Sequence, residues 1–559
     1  MGKTQIIGAN RERGIESWLP SHLDLAAGVI LIAGFLARLW AASGTFLNAD
    51  EALHFRLANQ SSLLEAYKQS LTGLHPPLFI LLLHLWRGLG SSELWLRLPS
   101  VIAGTVFCWF FFKWLTLVAG KLSGFLGLML VALLPPQIML PAEVRQYALL
   151  LAFLAAALYF LERAFEENSA GLMLSSALFL YLAMLTHYSA FLFAGAMGAY
   201  ALAKILIHPP HRPRASVIAS WIAGQLGALG IFLFLYKTHL SRRDFGNSQI
   251  FQGWMNYVGR SSYFQPGRDN PLLFAVGHSF GVFQFLFGQL AVGILMGMAF
   301  LVGLALLLRG RRLEENAVPS TPLTILLIVP FALACIGSFL HVYPYGGTRH
   351  VAFLIIPGVT GVSVAMAHLA ATPSGTGPTA KTKTWTRAVA IGASVLVACI
   401  AFGKPRQPRM DRADQSRAHM AAAIEFIQTQ IRPSDLTFTD YETDLILGHY
   451  LCRQQPISFE AAPATFEQFS CGGHRVISQD FTGWMFSADN FSKQWQHLVQ
   501  AYGLRAGDTV WVLQAGWDAD LAENLRHQMQ FHDLHFESFG RNIKLFKMTV
   551  GQQISTSTP

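Results

Sequence analysis

Repeated apolar runs, most of them about 17–25 residues long, constrain this chain more than any other feature. In hydrocarbon a backbone must satisfy its own N–H and C=O groups, so a run of that length becomes a helix. Such runs lie at about Leu23–Ala42, Leu94–Val118, Leu122–Leu140, Ala148–Leu161, 171–186, 189–206, 216–235, 290–308, 322–340, 351–370 and 388–403. The pattern predicts a polytopic α-helical membrane protein of about 11 spans. Composition agrees: 52% of the 559 residues are hydrophobic and 13% charged, about half the charge of a soluble domain. One further apolar segment, Leu78–Leu89, is short and broken by His84, Trp86 and Arg87, which suits an interfacial helix better than a span.

The formal charge is +9, but the basic residues gather in short loops between apolar runs. That placement reads as a topology signal and excludes nucleic acid as a partner. Lys3, Arg11 and Arg13 precede the first span; His208–Arg214, Arg309–Arg312, Lys381, Lys383 and Arg387 fall in later loops. With 11 spans and Leu78–Leu89 on the surface, all of them lie on one side. This puts residues 1–22 in the cytoplasm and Asp50-Glu51, 237–289, 341–350 and the tail outside. The expected localisation is a bacterial inner or plasma membrane. The first run lacks an A-x-A-like cleavage site, so it stays as a helix. Three parts follow: a cytoplasmic segment 1–22, a membrane domain 23–403 and an extracytoplasmic domain 404–559.

The tail alternates strand-like runs (Leu436–Thr439, Val476–Ser478, Thr509–Leu513) with helix-like ones (Arg417–Ile431, Asp444–Leu451, Phe491–Tyr502, Asp518–Met529). It closes on a strand pair near His535–Ser538 and Ile543–Met548. That alternation predicts a small α/β domain. Of five cysteines, Cys108, Cys335 and Cys399 lie in apolar runs. Cys452 and Cys471 match no zinc spacing and are candidates for a disulfide in an oxidising compartment.

Charged and polar residues collect in the outer loops. Asp50, Glu51 and His54 share one face if the loop is helical, which suits a general base beside a second carboxylate that orients it or holds a metal. The same residues also suit a plain helix start, with Asn48 or Asp50 as cap. His75-Pro76-Pro77 opens the short apolar helix, and His75 faces either solvent or the acidic corner. Glu143, Arg145 and Tyr147 head the fourth span, where an arginine can take a phosphate in two parallel hydrogen bonds. Tyr345-Gly346-Gly347-Thr348-Arg349-His350 combines a glycine turn, two cationic residue types and a following helix, a pattern that binds anions.

In order and spacing these features resemble the GT-C class of integral membrane glycosyltransferases, in its family-39 branch of protein O-mannosyltransferases and aminoarabinose transferases. The matching elements are Asp50-Glu51, His75-Pro76-Pro77-Leu78, Leu96-Arg97-Leu98-Pro99-Ser100, Glu143-Val144-Arg145-Gln146-Tyr147 and Thr348-Arg349-His350 with Pro357. The chain departs from the family with the lone acidic Glu143, His350 in place of a frequent Tyr, and Leu74 before His75. The resemblance implies a sugar donor on polyprenyl phosphate, used outside the cytoplasm, with inversion at the anomeric carbon. It implies Asp50 as the base on an acceptor hydroxyl of a protein, lipid or glycan, with Glu51 as its helper. Arg145 and Arg349 neutralise the departing phosphate, with Glu143, Tyr147, Tyr345, His350 and His75 lining the substrate site. A divalent metal, if used, would fall to Glu51 and Glu143. The rival reading is a non-catalytic flippase for lipid-linked glycans. Such a carrier needs ionisable groups at mid-span, whereas here they gather at the outer ends.

Overall fold

Each long apolar run folds as a helix in the computed structural model. It describes residues 4–73, 75–207, 213–241, 260–310, 320–371, 378–402, 414–452, 455–463, 465–479, 484–517, 519–527 and 534–551. His208–Arg212, Arg242, Arg243, Asp244, Tyr257, Arg311 and Arg312 lie outside those residues. In chain order the helices are α1 (Thr4–Ala42), α2 (Ala49–Ala58), α3 (Leu63–Ser70), α4 (Leu78–Trp86), α5 (Glu93–Ala119), α6 (Lys121–Leu133), α7 (Pro135–Met139), α8 (Tyr147–Glu166), α9 (Ala170–Thr186), α10 (Ser189–Ile207) and α11 (Ala215–Leu235). Then come α12 (Pro271–Phe287), α13 (Leu290–Leu308), α14 (Ser320–Phe339), α15 (Ile355–Ala371), α16 (Pro378–Phe402), α17 (Arg417–Gln430), α18 (Tyr441–Leu451), α19 (Ala488–Ala501) and α20 (Leu521–Arg526). They form two compact units. The first contains the described parts of 1–41, 98–241 and 258–406, and the second those of 42–97 and 407–559.

Among the described residues, 9 helices are long and apolar enough to cross a membrane, or 10 if one bent pair counts as a span. The other two of the expected runs, about 11 in all, are helical as well, one bent and one shorter. The run at 122–140 is broken into Lys121–Leu133 and Pro135–Ala142, which meet at 65°. The run at 171–186 is the 17-residue α9, packed on α8 and α11. Leu78–Leu89 is short, as expected.

The 65° break has a clear chemical cause. Pro135 and Pro136 have no N–H, so the carbonyls four residues earlier, at Val131 and Ala132, lose their helical donors. Arg38 of α1 supplies replacements: Nη2 donates to the Val131 carbonyl at 2.8 Å and Nη1 to that of Ala132 at 3.2 Å. Arg38 is 1% exposed, so its charge is spent entirely inside the unit. Arg38→Leu should leave the Ala132 carbonyl unsatisfied and that of Val131 with only the weak Cys108 thiol donor at 3.5 Å, at a cost of about 1–3 kcal/mol for an unsatisfied carbonyl. The expected result is a lower Tm for the purified protein in detergent, and an unchanged Tm would count against the staple. Elsewhere small residues let helices touch. A Cβ at Gly303 of α13 would meet the Gly361 carbonyl of α15 at 2.0 Å, as expected where close backbone packing replaces the hydrophobic effect.

The second unit holds a seven-stranded sheet with strands β1 (Leu436–Thr439), β2 (Phe459–Glu460), β3 (Phe466–Cys471), β4 (His474–Gln479), β5 (Thr509–Ala515), β6 (Phe536–Ser538) and β7 (Ile543–Thr549). Their order is β2-β3-β4-β1-β5-β7-β6. The central β4-β1-β5 pairs are parallel and the flanking pairs antiparallel. Phe438, Ile477, Val510, Val512, Phe546 and Met548 pack with Phe491, Trp495 and Leu498 of α19 into one apolar core. The α/β expectation is met. The hairpin strands β2 and β3 are additional to it. Cys452 at the end of α18 and Cys471 at the end of β3 are joined in a disulfide.

Candidate active site

The acidic corner lies on α2, in the second unit, and its local geometry is set by a capping box. The Asn48 side chain accepts from the Glu51 N–H, and a Glu51 oxygen accepts from the Asn48 N–H, each at 3.0 Å. This satisfies two donors that a helix start otherwise leaves open. Glu51 then meets Arg97 of α5 in a fork: Nε donates to Oε1 and Nη2 to Oε2, both at 2.7 Å. The remaining Arg97 donors wrap the turn before α2. Nη1 reaches the carbonyls of Ala42 and Thr45 and the Thr45 hydroxyl, and Nη2 reaches the Phe46 carbonyl. Arg97 is 2% exposed and Glu51 0%. A paired, bidentate charge is the form in which such burial is tolerated. Two residues along, Pro99 removes the donor to the Trp95 carbonyl, and the Trp86 indole N–H fills that role at 2.8 Å.

Asp50, next to Glu51, keeps 9% exposure. His54, one turn on, places Nδ1 2.7 Å from the Asp50 carbonyl. A carbonyl only accepts, so Nδ1 carries the proton. The His54 ring lies 5.9 Å from that of His75 and 5.7 Å from Phe79. His75 is thus a neighbour of the acidic corner through His54.

The basic cluster lies in the first unit. Arg145, Gln146 and Tyr147 are buried at the start of α8, with Arg145 held by the Ser100 hydroxyl, which donates to its carbonyl at 3.0 Å. The Arg145 guanidinium stands 5.6 Å from the Tyr147 ring centre, a cation–π distance. Arg349 approaches Glu143 at 4.0 Å, and the His350 ring lies 6.5 Å from that of Tyr147. Tyr343 donates to the His350 carbonyl at 2.7 Å. Tyr345 turns elsewhere: its hydroxyl meets that of Ser279 on α12 at 2.7 Å. Burial pushes the Tyr345 phenol above its usual range, so it acts as a neutral hydroxyl.

His187, between α9 and α10, is a member of this cluster that the motifs do not point to. Its ring is 5.2 Å from Tyr147. The Ser189 N–H donates to its Nδ1 at 3.2 Å, which leaves the proton on Nε2. Burial, and then the nearby Arg145 charge, lower it to about 3. His187 is therefore a neutral donor at physiological pH. The other omission is the role of Arg97 as the partner of Glu51, since the motif around it shows no contact across 46 residues.

A divalent ion fits these donors poorly. Among the described residues no three His, Cys, Asp or Glu side chains gather to hold one. Glu51 has both oxygens on Arg97, and Glu143 faces Arg349. Asp50, Glu51, His54 and His75 are brought together in one unit, and Glu143, Arg145, Tyr147, His187, Arg349 and His350 in the other.

Residues 74–236 match the family model for dolichyl-phosphate-mannose-protein mannosyltransferase, which meets the resemblance read from the motifs. The fold is shared with ArnT from Cupriavidus metallidurans. Its apo structure has a TM-score of 0.51 at 11% identity, covering 96% of this chain and 98% of that one. Its undecaprenyl phosphate-bound structure has a TM-score of 0.50 at 11% identity, covering 94% and 98%. The archaeal oligosaccharyltransferase AglB from Archaeoglobus fulgidus, in complex with an inhibitory peptide and a dolichol-phosphate, is similar at a TM-score of 0.45 and 11% identity, covering 95% and 75%. No curated protein matches the chain.

Proposed function

We propose, from a chain with a mannosyltransferase-family segment and the ArnT fold, that it is a membrane glycosyltransferase with a polyprenyl-phosphate sugar as donor. The sugar goes to an acceptor hydroxyl on the extracytoplasmic face, with inversion at the anomeric carbon. One observation carries the assignment of roles. Of two adjacent carboxylates, Glu51 has both oxygens on Arg97 at 0% exposure, while Asp50 keeps 9%. Asp50 takes the acceptor proton, and Glu51 with Arg97 sets its position. The oxygen–sugar bond to the acceptor forms as the bond to the lipid phosphate breaks.

Arg145 and Arg349 offset the charge that develops on the departing phosphate, the effect that dominates such chemistry. Tyr147 and the His187 Nε2–H add neutral donors beside Arg145. His350 and Glu143 hold Arg349 and its neighbours in place. Crystallised ArnT bound undecaprenyl phosphate, which supports this class of leaving group. The orientation rests on the basic loops and on the Cys452–Cys471 bond, a bond that persists outside a reducing cytoplasm.

The test is transfer from a panel of labelled polyprenyl-phosphate sugars in membranes, to protein, lipid and glycan acceptors. Arg349→Lys should raise the donor KM by about 10- to 100-fold, because a planar two-point contact becomes a single point charge. An unchanged donor KM would reduce Arg349 to part of an ordinary turn. No transfer from any donor, with the lipid-linked sugar carried across vesicles instead, would favour the flippase.

A further inference from the structure

The helix that carries Asp50 is held by residues nearly 400 positions later in the chain. Three contacts join α2 and its entry turn to α18. Arg56 donates from Nη1 to Asp444 Oδ2 and from Nη2 to the Asp444 carbonyl, both at 2.9 Å. The Phe55 ring meets His449 edge to face at 4.7 Å. The Tyr450 hydroxyl accepts from the Leu47 N–H at 2.8 Å, just before the helix cap, and itself donates to Glu93 at 3.1 Å. One residue earlier, the Phe46 N–H donates to the Gln415 carbonyl at 2.9 Å, and the Gln415 amide returns a bond to the Phe46 carbonyl at 2.8 Å.

These contacts are built rather than incidental. The Asp444 side chain is fully buried, and among the described residues its second oxygen has no hydrogen-bond partner, so Arg56 is what its charge answers to. Glycine at 448 leaves the Arg56 path open: a Cβ there would sit 3.0 Å from Nη2. His449 is buried, and among the described residues neither of its nitrogens has a hydrogen-bond partner. Burial, then Arg97, lowers it to about 3, so a neutral ring faces Phe55. At its far end α18 is tied to β3 by the disulfide.

We propose that Asp444 and Tyr450 of the C-terminal domain are positioning residues for Asp50, fixing the start and the last turn of α2. The inference rests on the reading of Asp50 as the base. A catalytic carboxylate must hold its place closely, since a shift of about 1 Å is enough to cost on the order of 100-fold in rate. α2 is only 10 residues long, below the length at which an isolated helix holds itself. Its rigidity therefore comes from tertiary contacts, and those it makes with α18 lie at both ends.

Asp444→Asn, Tyr450→Phe and Asp444→Glu in the full-length protein test this. Two readouts apply: amide hydrogen exchange over residues 49–58, which needs no substrate, and kcat and donor KM with labelled polyprenyl-phosphate mannose. In Asp444→Asn and Tyr450→Phe we expect exchange in α2 to quicken by about 10-fold or more, with sheet amides unchanged. We expect kcat to fall by about 10- to 100-fold with donor KM held, and Asp444→Glu to recover part of it. Arg56→Gln combined with Asp444→Asn should lose no more than the worse single variant, because both act through one contact. Unchanged α2 exchange in both Asp444→Asn and Tyr450→Phe overturns the inference, as does a loss that only tracks unfolding of the sheet. A dead Asp50→Asn beside a fully active Asp444→Asn would sink the positioning role alone. An active Asp50→Asn would sink the base assignment instead, while exchange in α2 would still report on the hold.

Discussion

Asp50→Asn is expected to lower the turnover of sugar transfer by about 100- to 10,000-fold, the usual contribution of a general base. The substitution keeps size and hydrogen-bonding capacity but removes the proton acceptor. It should not disturb the helix, because the cap is made by Asn48 and Glu51 and not by Asp50. Donor binding should survive as well, since in the proposed mechanism the phosphate falls to Arg145 and Arg349. The expected signature is thus a collapse of kcat with near wild-type donor KM and Tm, measured by labelled-sugar transfer in membranes. Wild-type turnover in Asp50→Asn would remove Asp50 from the chemistry.

Arg97→Met is expected to have the largest effect on stability. It strands the Glu51 carboxylate at 0% exposure without its cation. It also strips donors from the carbonyls of Ala42, Thr45 and Phe46. Breaking one partner of a buried pair costs about 3–5 kcal/mol. The diagnostic comparison is the double variant Arg97→Met with Glu51→Gln. Removing the orphaned charge should restore part of the lost Tm, although the turn before α2 stays loose. Arg97→Lys should fall between, because an ammonium cannot make the two-point fork. A single Arg97→Met with unchanged Tm in detergent would mean that the pair contributes nothing to the fold.

The two variants separate roles that look equal in the sequence. Asp50 and Glu51 are adjacent carboxylates, and periodicity places both near His54. What distinguishes them is a contact 46 residues away, which local pattern cannot show. Arg97 lies within a stretch that the motifs mark, but its partner becomes evident only when α5 and α2 are packed. His187 was harder still. It is a lone histidine between two apolar runs, and its link to Tyr147 and Arg145 exists only in the assembled bundle. Tyr345 shows the reverse case. It sits in the glycine turn beside Arg349, yet its hydroxyl is turned to Ser279.

Legibility was greatest where the physics is local. Period and length place β1 at Leu436–Thr439 and most apolar helices within a few residues of their observed ends, although α1 starts at Thr4 and α16 at Pro378, well before the apolar runs they contain. They miss the break at Pro135 as a bend, because a proline pair inside an apolar run is only a potential kink until something donates to the carbonyls it frees. Here Arg38 does so. β2 and β3 escape for a similar reason: β2 is two residues long and takes its shape from its partner.

The amino-acid order alone determined that this chain is a membrane helix bundle with an α/β tail, and that its charges gather at the loop ends. Hydrophobic length and alternation are properties of consecutive residues, and burying them has only a few solutions. Which of the two carboxylates has both oxygens on Arg97 was decided by tertiary structure. So was the anchoring of the Asp50 helix by α18, far along the chain. A buried charge is stable only beside its partner, and a short helix is rigid only against its neighbours; both conditions are met by folding and not by sequence distance.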